Sequence, residues 1–154
     1  MPLRFSSMAN AELAGLLIGG LVPALLFGVN GVLAKAGTQA GIGLGVYLLI
    51  IAVGVALTGV LFLFIDPSRA YSPRAGWFTL AMGITWGLGV GLVGIGLVRY
   101  GAPLSKLVPL YNMNTLVAVV IALWVFAEWQ KVQALKLVVG ALLVILGGTL
   151  VALS

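Results

Sequence analysis

The sequence predicts an all-α, polytopic membrane protein with five transmembrane helices, and three observations carry that prediction. Of the 154 residues, 62% are hydrophobic and only 7% are charged, whereas an ordinary soluble domain is about half apolar and about a quarter charged. The 8 basic and 3 acidic side chains are too few to cover a water-soluble globule, and the mean hydropathy is +1.25. The apolar residues fall into five runs, each meeting the ~20 residues that a helix needs to cross a ~30 Å hydrocarbon core. None of the runs alternates with period two, so a β-barrel is not expected.

The first helix is placed at 13–34, behind a polar stretch holding Arg4, Ser6, Ser7, Asn10 and Glu12, and it closes at Lys35. Its apolar core is longer than the 7–15 residues of a signal peptide, and four spans follow, so it is read as retained. The turn-like stretch Ala36-Gly37-Thr38-Gln39-Ala40-Gly41 leads to the second helix at 42–65, which ends at Asp66. Residues 66–74, with two prolines, two serines and two arginines, form the one clearly solvated loop. The third helix, 76–98, stops at Arg99. The fourth, 104–127, is approached through Pro103, contains Ser105 and Lys106 in its first turn, and closes at Glu128. A Trp129-Gln130-Lys131 turn precedes the fifth, 132–153, where Lys136 sits one turn inside and can snorkel to the interface. All five belong to a single membrane domain, 1–154.

The absences restrict the chemistry. With no Cys and no His, disulfides, thiolate and imidazole catalysis and nearly all zinc sites drop out. Glu12, Asp66 and Glu128 all stand at span ends, so no carboxylate is expected at bilayer depth. An enzyme, a cofactor and a metal site are therefore not expected. The cations are scattered singly, which suits topology signals flanking the spans rather than nucleic-acid binding. An odd number of spans puts the termini on opposite sides. One side carries Arg4, Arg69, Arg74, Lys131 and Lys136, the other Lys35, Arg99 and Lys106. That excess, five against three, orients the amino terminus toward the cytoplasm of a cell (inner or plasma) membrane. So narrow a margin is also compatible with insertion in both directions.

Glycine numbers 22. Gly83, Gly87 and Gly91 recur every four residues in the third span, Gly15 and Gly19 do so in the first, and Gly140, Gly147 and Gly148 lie in the fifth. Such spacing serves either close helix packing within the subunit or a subunit interface.

Polar residues within a span are costly and point to function by default. In the fourth span Tyr111, Asn112, Asn114 and Thr115 fall within an arc of about 160° on a continuous helix. Pro109 lacks a backbone donor and so leaves the carbonyl of Ser105 without its helical partner. Interhelical hydrogen bonding could use some of these groups, but four of them beside a proline favour a face that lines a solute path. Asn30 in the first span and the Thr85–Trp86 pair in the third are lesser candidates. Trp86 serves either as a packing residue or as a wall against which a solute stacks. Lys106 is positioned to pair with an anionic group if it points inward.

The stretch 97–153 resembles the closing half of an EamA-type repeat of the drug/metabolite transporter superfamily. The matching residues are Arg99-Tyr100-Gly101-Ala102-Pro103-Leu104-Ser105, Pro109-Leu110-Tyr111-Asn112-Met113-Asn114-Thr115, Ala127-Glu128-Trp129, Val139-Gly140-Ala141 and Leu146-Gly147-Gly148-Thr149. The segment Leu26-Phe27-Gly28-Val29-Asn30-Gly31-Val32-Leu33-Ala34-Lys35 is similar to that family's first helix. Members typically have ten helices in two inverted five-helix repeats, and this chain supplies one. The resemblance then implies a homodimer, or a pairing with a homologous half, with an antiparallel arrangement replacing the covalent inverted repeat. It also implies a pocket lined by the first, third and fourth helices, where Asn30, Trp86, Tyr111, Asn112 and Asn114 fall.

Two functions follow as expectations. The first is a carrier that moves a small polar solute by alternating access as a dimer of five-helix units. The other is a non-transporting accessory subunit of a larger membrane complex.

Overall fold

The computed structural model describes residues 13–66, 68–127 and 132–154. Among them the secondary structure is entirely helical, and five helical spans are long and apolar enough to cross a membrane: Leu13–Gln39, Leu44–Ile65, Pro73–Arg99, Leu104–Val125 and Leu135–Leu153. The elements are α1 (Leu13–Gln39), α2 (Leu44–Ile65), α3 (Pro73–Arg99), α4 (Leu104–Asn112), α5 (Asn114–Val125) and α6 (Ala134–Leu153). Arg4, Glu12, Glu128, Trp129 and Lys131 lie outside the described residues.

Two of these spans differ from the continuous helices that the hydropathy pattern predicts. Within α1, Leu17–Leu21 winds as a π-helix, with the Val22 N–H donating to the Leu17 carbonyl. Pro23 explains it. A proline ring cannot face the carbonyl four residues back, here Gly19, and one wide turn relieves the clash. The fourth span is two helices, with Met113 between them. The α1 helix also runs a turn past Lys35 to Gln39, so this cation lies inside the helix and is half-buried.

The chain divides into two compact units, one reaching to Gly87 and one starting at Leu88. In the first, α1 packs against α2. The buried residues here are Gly31, Thr38 and Tyr47. Gly31 and Thr38, seven apart, share one stripe of α1 with half-buried Ala34 and Lys35. The Thr38 hydroxyl donates back to the Ala34 and Lys35 carbonyls at 2.9 and 3.0 Å, so its burial leaves no donor unsatisfied. Gly41, at φ +89°, then reverses the chain into α2.

The α2–α3 loop is fixed by local bonds. Asp66 accepts from the Ser68 N–H at 3.0 Å, and the Arg69 guanidinium donates to the Leu63 carbonyl at 3.1 Å, capping the end of α2. Ser72 accepts from the Ala75 N–H through its hydroxyl at 3.1 Å, and Pro73 opens α3, a position where a missing donor costs nothing.

In the second unit, α3 ends at Arg99, Gly101 takes φ +59°, and the Ala102 N–H reaches back to the Gly96 carbonyl at 3.0 Å. Pro103 prevents the helix from continuing. Leu107 then lies against Gly96, and α4 packs along α6. Gly94, Leu123 and Gly148 are the buried residues of this unit. Most large apolar side chains in both units are exposed, a surface that water does not tolerate and hydrocarbon does.

Candidate functional site

The second unit holds Lys106, Tyr111, Asn112, Asn114 and Thr115. Three directions around α4 are fixed by its neighbours. Leu107 meets α3 at Gly96, with closest carbons 3.6 Å from the point where a Cβ on that glycine would stand. Pro109 and Met113 both meet α6 at Gly148, the Pro109 carbonyl oxygen and the Met113 Cγ and Sδ each lying 3.4 Å from the equivalent point. Lys106, seven residues before Met113, shares the flank that faces α6 and is half-buried. It forms no ion pair among the described residues.

The remaining directions belong to the polar residues. Tyr111 falls on the flank nearer Leu107 and is half-buried, whereas Asn112 falls on the other flank with Ser105, and both of these are exposed. Tyr111 and Asn112 therefore diverge within the helix rather than forming one narrow stripe.

Met113 is the break. Its ψ is −11°, against about −42° in a regular α-helix. The Met113 N–H donates to Leu110 at 3.2 Å instead of to Pro109, and the Leu116 N–H donates to Met113 at 3.0 Å. Both are i to i−3 bonds, tighter than the α ladder. Sequence reasoning locates the irregularity at the Ser105 carbonyl, which the missing Pro109 donor indeed leaves open. The visible change of winding comes four residues after the proline. One such step turns the chain by about 120° instead of about 100°, so the polar arc from Tyr111 to Thr115 is shifted by a few tens of degrees, and the span Leu104–Val125 runs on through Met113.

Asn114 opens α5 and is exposed. Thr115 is exposed too, but its hydroxyl donates to the Asn112 carbonyl at 3.0 Å. It bridges the break and keeps only acceptor capacity for another group. The side-chain amides of Asn112 and Asn114 form no hydrogen bond among the described residues, leaving two donors and two lone pairs on each.

In the first unit, Asn30 lies beside the packed Gly31–Thr38 stripe, exposed and likewise without a side-chain hydrogen bond among the described residues. Trp86 is 44% exposed. The neighbouring Thr85 hydroxyl is spent on its own helix, donating to Ala81 and Met82 at 3.0 Å. The structure thus groups Tyr111, Asn112, Asn114 and Thr115 around one break, and sets Asn30 and Trp86 on separate elements of the first unit.

Three features of the sites escape the hydropathy and polarity reading: the π turn at Leu17–Leu21, the change of winding at Met113, and Gly148 as the seat of α4. The first had a visible signal in Gly19, Gly20 and Pro23. The other two did not, because they depend on which helix lies opposite.

No family model matches this chain, and no curated protein or solved structure is similar to it.

Proposed function

We propose that the chain is a multi-pass integral membrane protein and half of a carrier for small polar solutes, working by alternating access as a dimer of five-helix units. The observation that carries this reading is the pair of bare amides, Asn112 and Asn114, at a break inside a span that is otherwise apolar. An amide without a partner costs about 1–3 kcal/mol inside a protein and about 4–8 kcal/mol in hydrocarbon, and polar groups at that depth occur where they face a cavity or another protein surface. Interrupted spans are the recurring way in which membrane carriers build a binding site near the bilayer midplane. Two of the five spans depart from regular α winding, at Leu17–Leu21 and at Met113.

The resemblance of residues 97–153 to an EamA-type repeat points the same way, and a single repeat needs a second copy or a homologous half to enclose a pathway. Amides, a phenol and an indole suit solutes bearing hydroxyl or zwitterionic groups. Lys106 supplies a cation at the α4–α6 flank for an anionic group. The five-to-three cation count leaves the relative orientation of the two copies to be measured.

The test is flux. Purified protein in liposomes takes up one member of a panel of labelled amino acids, polyols and sugars with saturation, and Asn112→Leu or Asn114→Leu reduces that uptake about five-fold, the loss of one charge-free hydrogen-bonded contact worth about 1 kcal/mol. Inertness toward the whole panel, together with co-purification of a larger membrane complex, overturns the carrier reading in favour of an accessory subunit.

A further inference from the structure

The face of α3 that carries its regularly spaced glycines is open at Gly83 and Gly87. A Cβ added at Gly83 or Gly87 meets nothing within 4 Å. Beside Gly83 the structure has a groove of about 540 Å³ lined by Ala70, Tyr71, Gly76, Thr79, Gly83 and Ile84, among others. All of these residues belong to the first unit. The floor is one side of α3, and the wall at its loop end is Ala70 and Tyr71. The Tyr71 ring overhangs the first turn, with its hydroxyl 2.8 Å from where a Cβ on Gly76 would stand.

We propose that this groove holds one acyl chain of an anionic phospholipid, with the phosphate at the loop end near Arg69 and Arg74. The inference rests on the membrane-spanning reading of the chain and not on its transport activity. The charge at the loop end is complementary to a phosphate. Arg69 and Arg74 immediately precede Ala70 and Ala75, two residues that line the groove. No acidic residue stands in the first turn of α3, so the positive end of the helix dipole adds to both guanidiniums. Among the described residues, one of Arg69's five donors is engaged, in the contact with Leu63. Arg74 rests over the Phe78 ring, 5.9 Å from its centroid, on the flank away from the groove floor, and its in-plane donors remain available. Each cation beside an anionic headgroup contributes about 1 kcal/mol, close to a five-fold change in affinity.

The interior chemistry selects a lipid tail over a partner helix. Thr79, the polar residue on the floor, donates its hydroxyl to Ala75 at 2.9 Å, so the floor itself offers no free hydroxyl donor. A helix with its side chains is about 10–12 Å across and would have to push Ala70 and Tyr71 aside to lie along this face. A single acyl chain lies along the open floor beyond the tyrosine, whose ring closes onto Gly76.

The experiment uses full-length protein, delipidated in detergent and titrated with phosphatidylglycerol or phosphatidylcholine, with bound lipid read by native mass spectrometry. One phosphatidylglycerol is expected to be retained per chain, in clear preference to phosphatidylcholine. Arg69→Gln and Arg74→Gln each weaken it about five-fold. Gly83→Leu, which fills the groove, abolishes retention, whereas Arg99→Gln, which removes a cation from the other end of α3, leaves it unchanged. Equal retention of the two lipids, or indifference to both loop arginines, overturns the proposal. Loss of dimer on Gly83→Leu with lipid binding intact also overturns it and assigns the groove to a second chain. Resistance of the protein to extraction from membranes at alkaline pH reports on the spanning reading separately.

Discussion

Replacing Asn112 by Leu separates a binding residue from a structural one by the sign of its effect on stability. Asn112 is exposed and its side chain has no hydrogen bond among the described residues, so the substitution removes no contact within the chain. It does remove an amide from a span with mean hydropathy 1.7, which relieves about 1–3 kcal/mol on the scale of protein substitutions and less if water reaches it. Leucine is also the better helix former, by about 0.5 kcal/mol. The variant should therefore be as stable as the parent or more stable, by roughly 0.5–3 kcal/mol, while uptake into liposomes falls about five-fold. Stability is measured by denaturant titration in mixed micelles, and uptake on the same preparation. A destabilisation greater than about 1 kcal/mol, the value of one lost hydrogen bond, would refute the reasoning, because it would show that the amide holds the fold together. Unchanged uptake in a stable variant would refute it from the other side.

Three further outcomes test the architecture. Gly148→Ala places its new carbon at an ordinary 3.4 Å from Met113 and the Pro109 carbonyl and should stabilise by up to about 1 kcal/mol through helix propensity. Gly148→Val, whose branched carbons reach further into the same contact, should cost about 1–3 kcal/mol, with Met113→Ala restoring part of it; both are read by the same denaturant titration. Ala127 sits at φ +51°, a conformation costing a residue with a Cβ about 1–2 kcal/mol, so Ala127→Gly should raise the thermal midpoint. Single cysteines at exposed Gln39 and Ser68, challenged with an impermeant maleimide on whole cells, should both label if the chain inserts in two directions, and only Gln39 should label if the amino terminus is always cytoplasmic.

The spans were legible because hydrophobic length is a property of the chain itself. Apolar runs between Lys35, Asp66, Arg99 and Glu128 locate five helices whatever their neighbours. The ends were less so. Lys35 reads as a stop, but its long stem lets it lie within the last turns of α1, and the helix is ended instead by Gly41, whose positive φ no hydropathy count detects. The polar cluster of the fourth span was legible as residue types, and Pro109 announced an irregularity. Its position was not, since the winding change falls at Met113, whose thioether packs against Gly148. That contact joins residues 35 positions apart, and only the folded chain shows which of the 22 glycines receives a side chain. Of the glycine stripes, Gly148 is packed, while Gly83 and Gly87 stand open. Spacing alone reads them alike.

The break at Met113 gives the clearest test of whether the interruption serves motion. A proline in a helix interior costs about 3 kcal/mol relative to alanine, and Pro109 lies in the middle of α4, so the chain retains it at a loss of stability. Pro109→Ala supplies an N–H to the open Ser105 carbonyl and removes the ring, and the Met113 N–H becomes free to return to the carbonyl of residue 109. The contact with Gly148 is made by the carbonyl oxygen of residue 109 and by Met113, not by the proline ring, so the seat of α4 on α6 survives the change. The expected result is a gain of about 1–3 kcal/mol in the denaturant titration with solute affinity kept and turnover reduced. This pattern separates a hinge from a binding residue, because Asn112→Leu lowers binding as well. Hydrogen exchange at Met113 and Asn114 should slow in the same variant as the ladder closes. A stabilised Pro109→Ala protein that turns over at the parent rate would show that α5 need not move relative to α4, and the solute path would then have to open by displacement of whole helices.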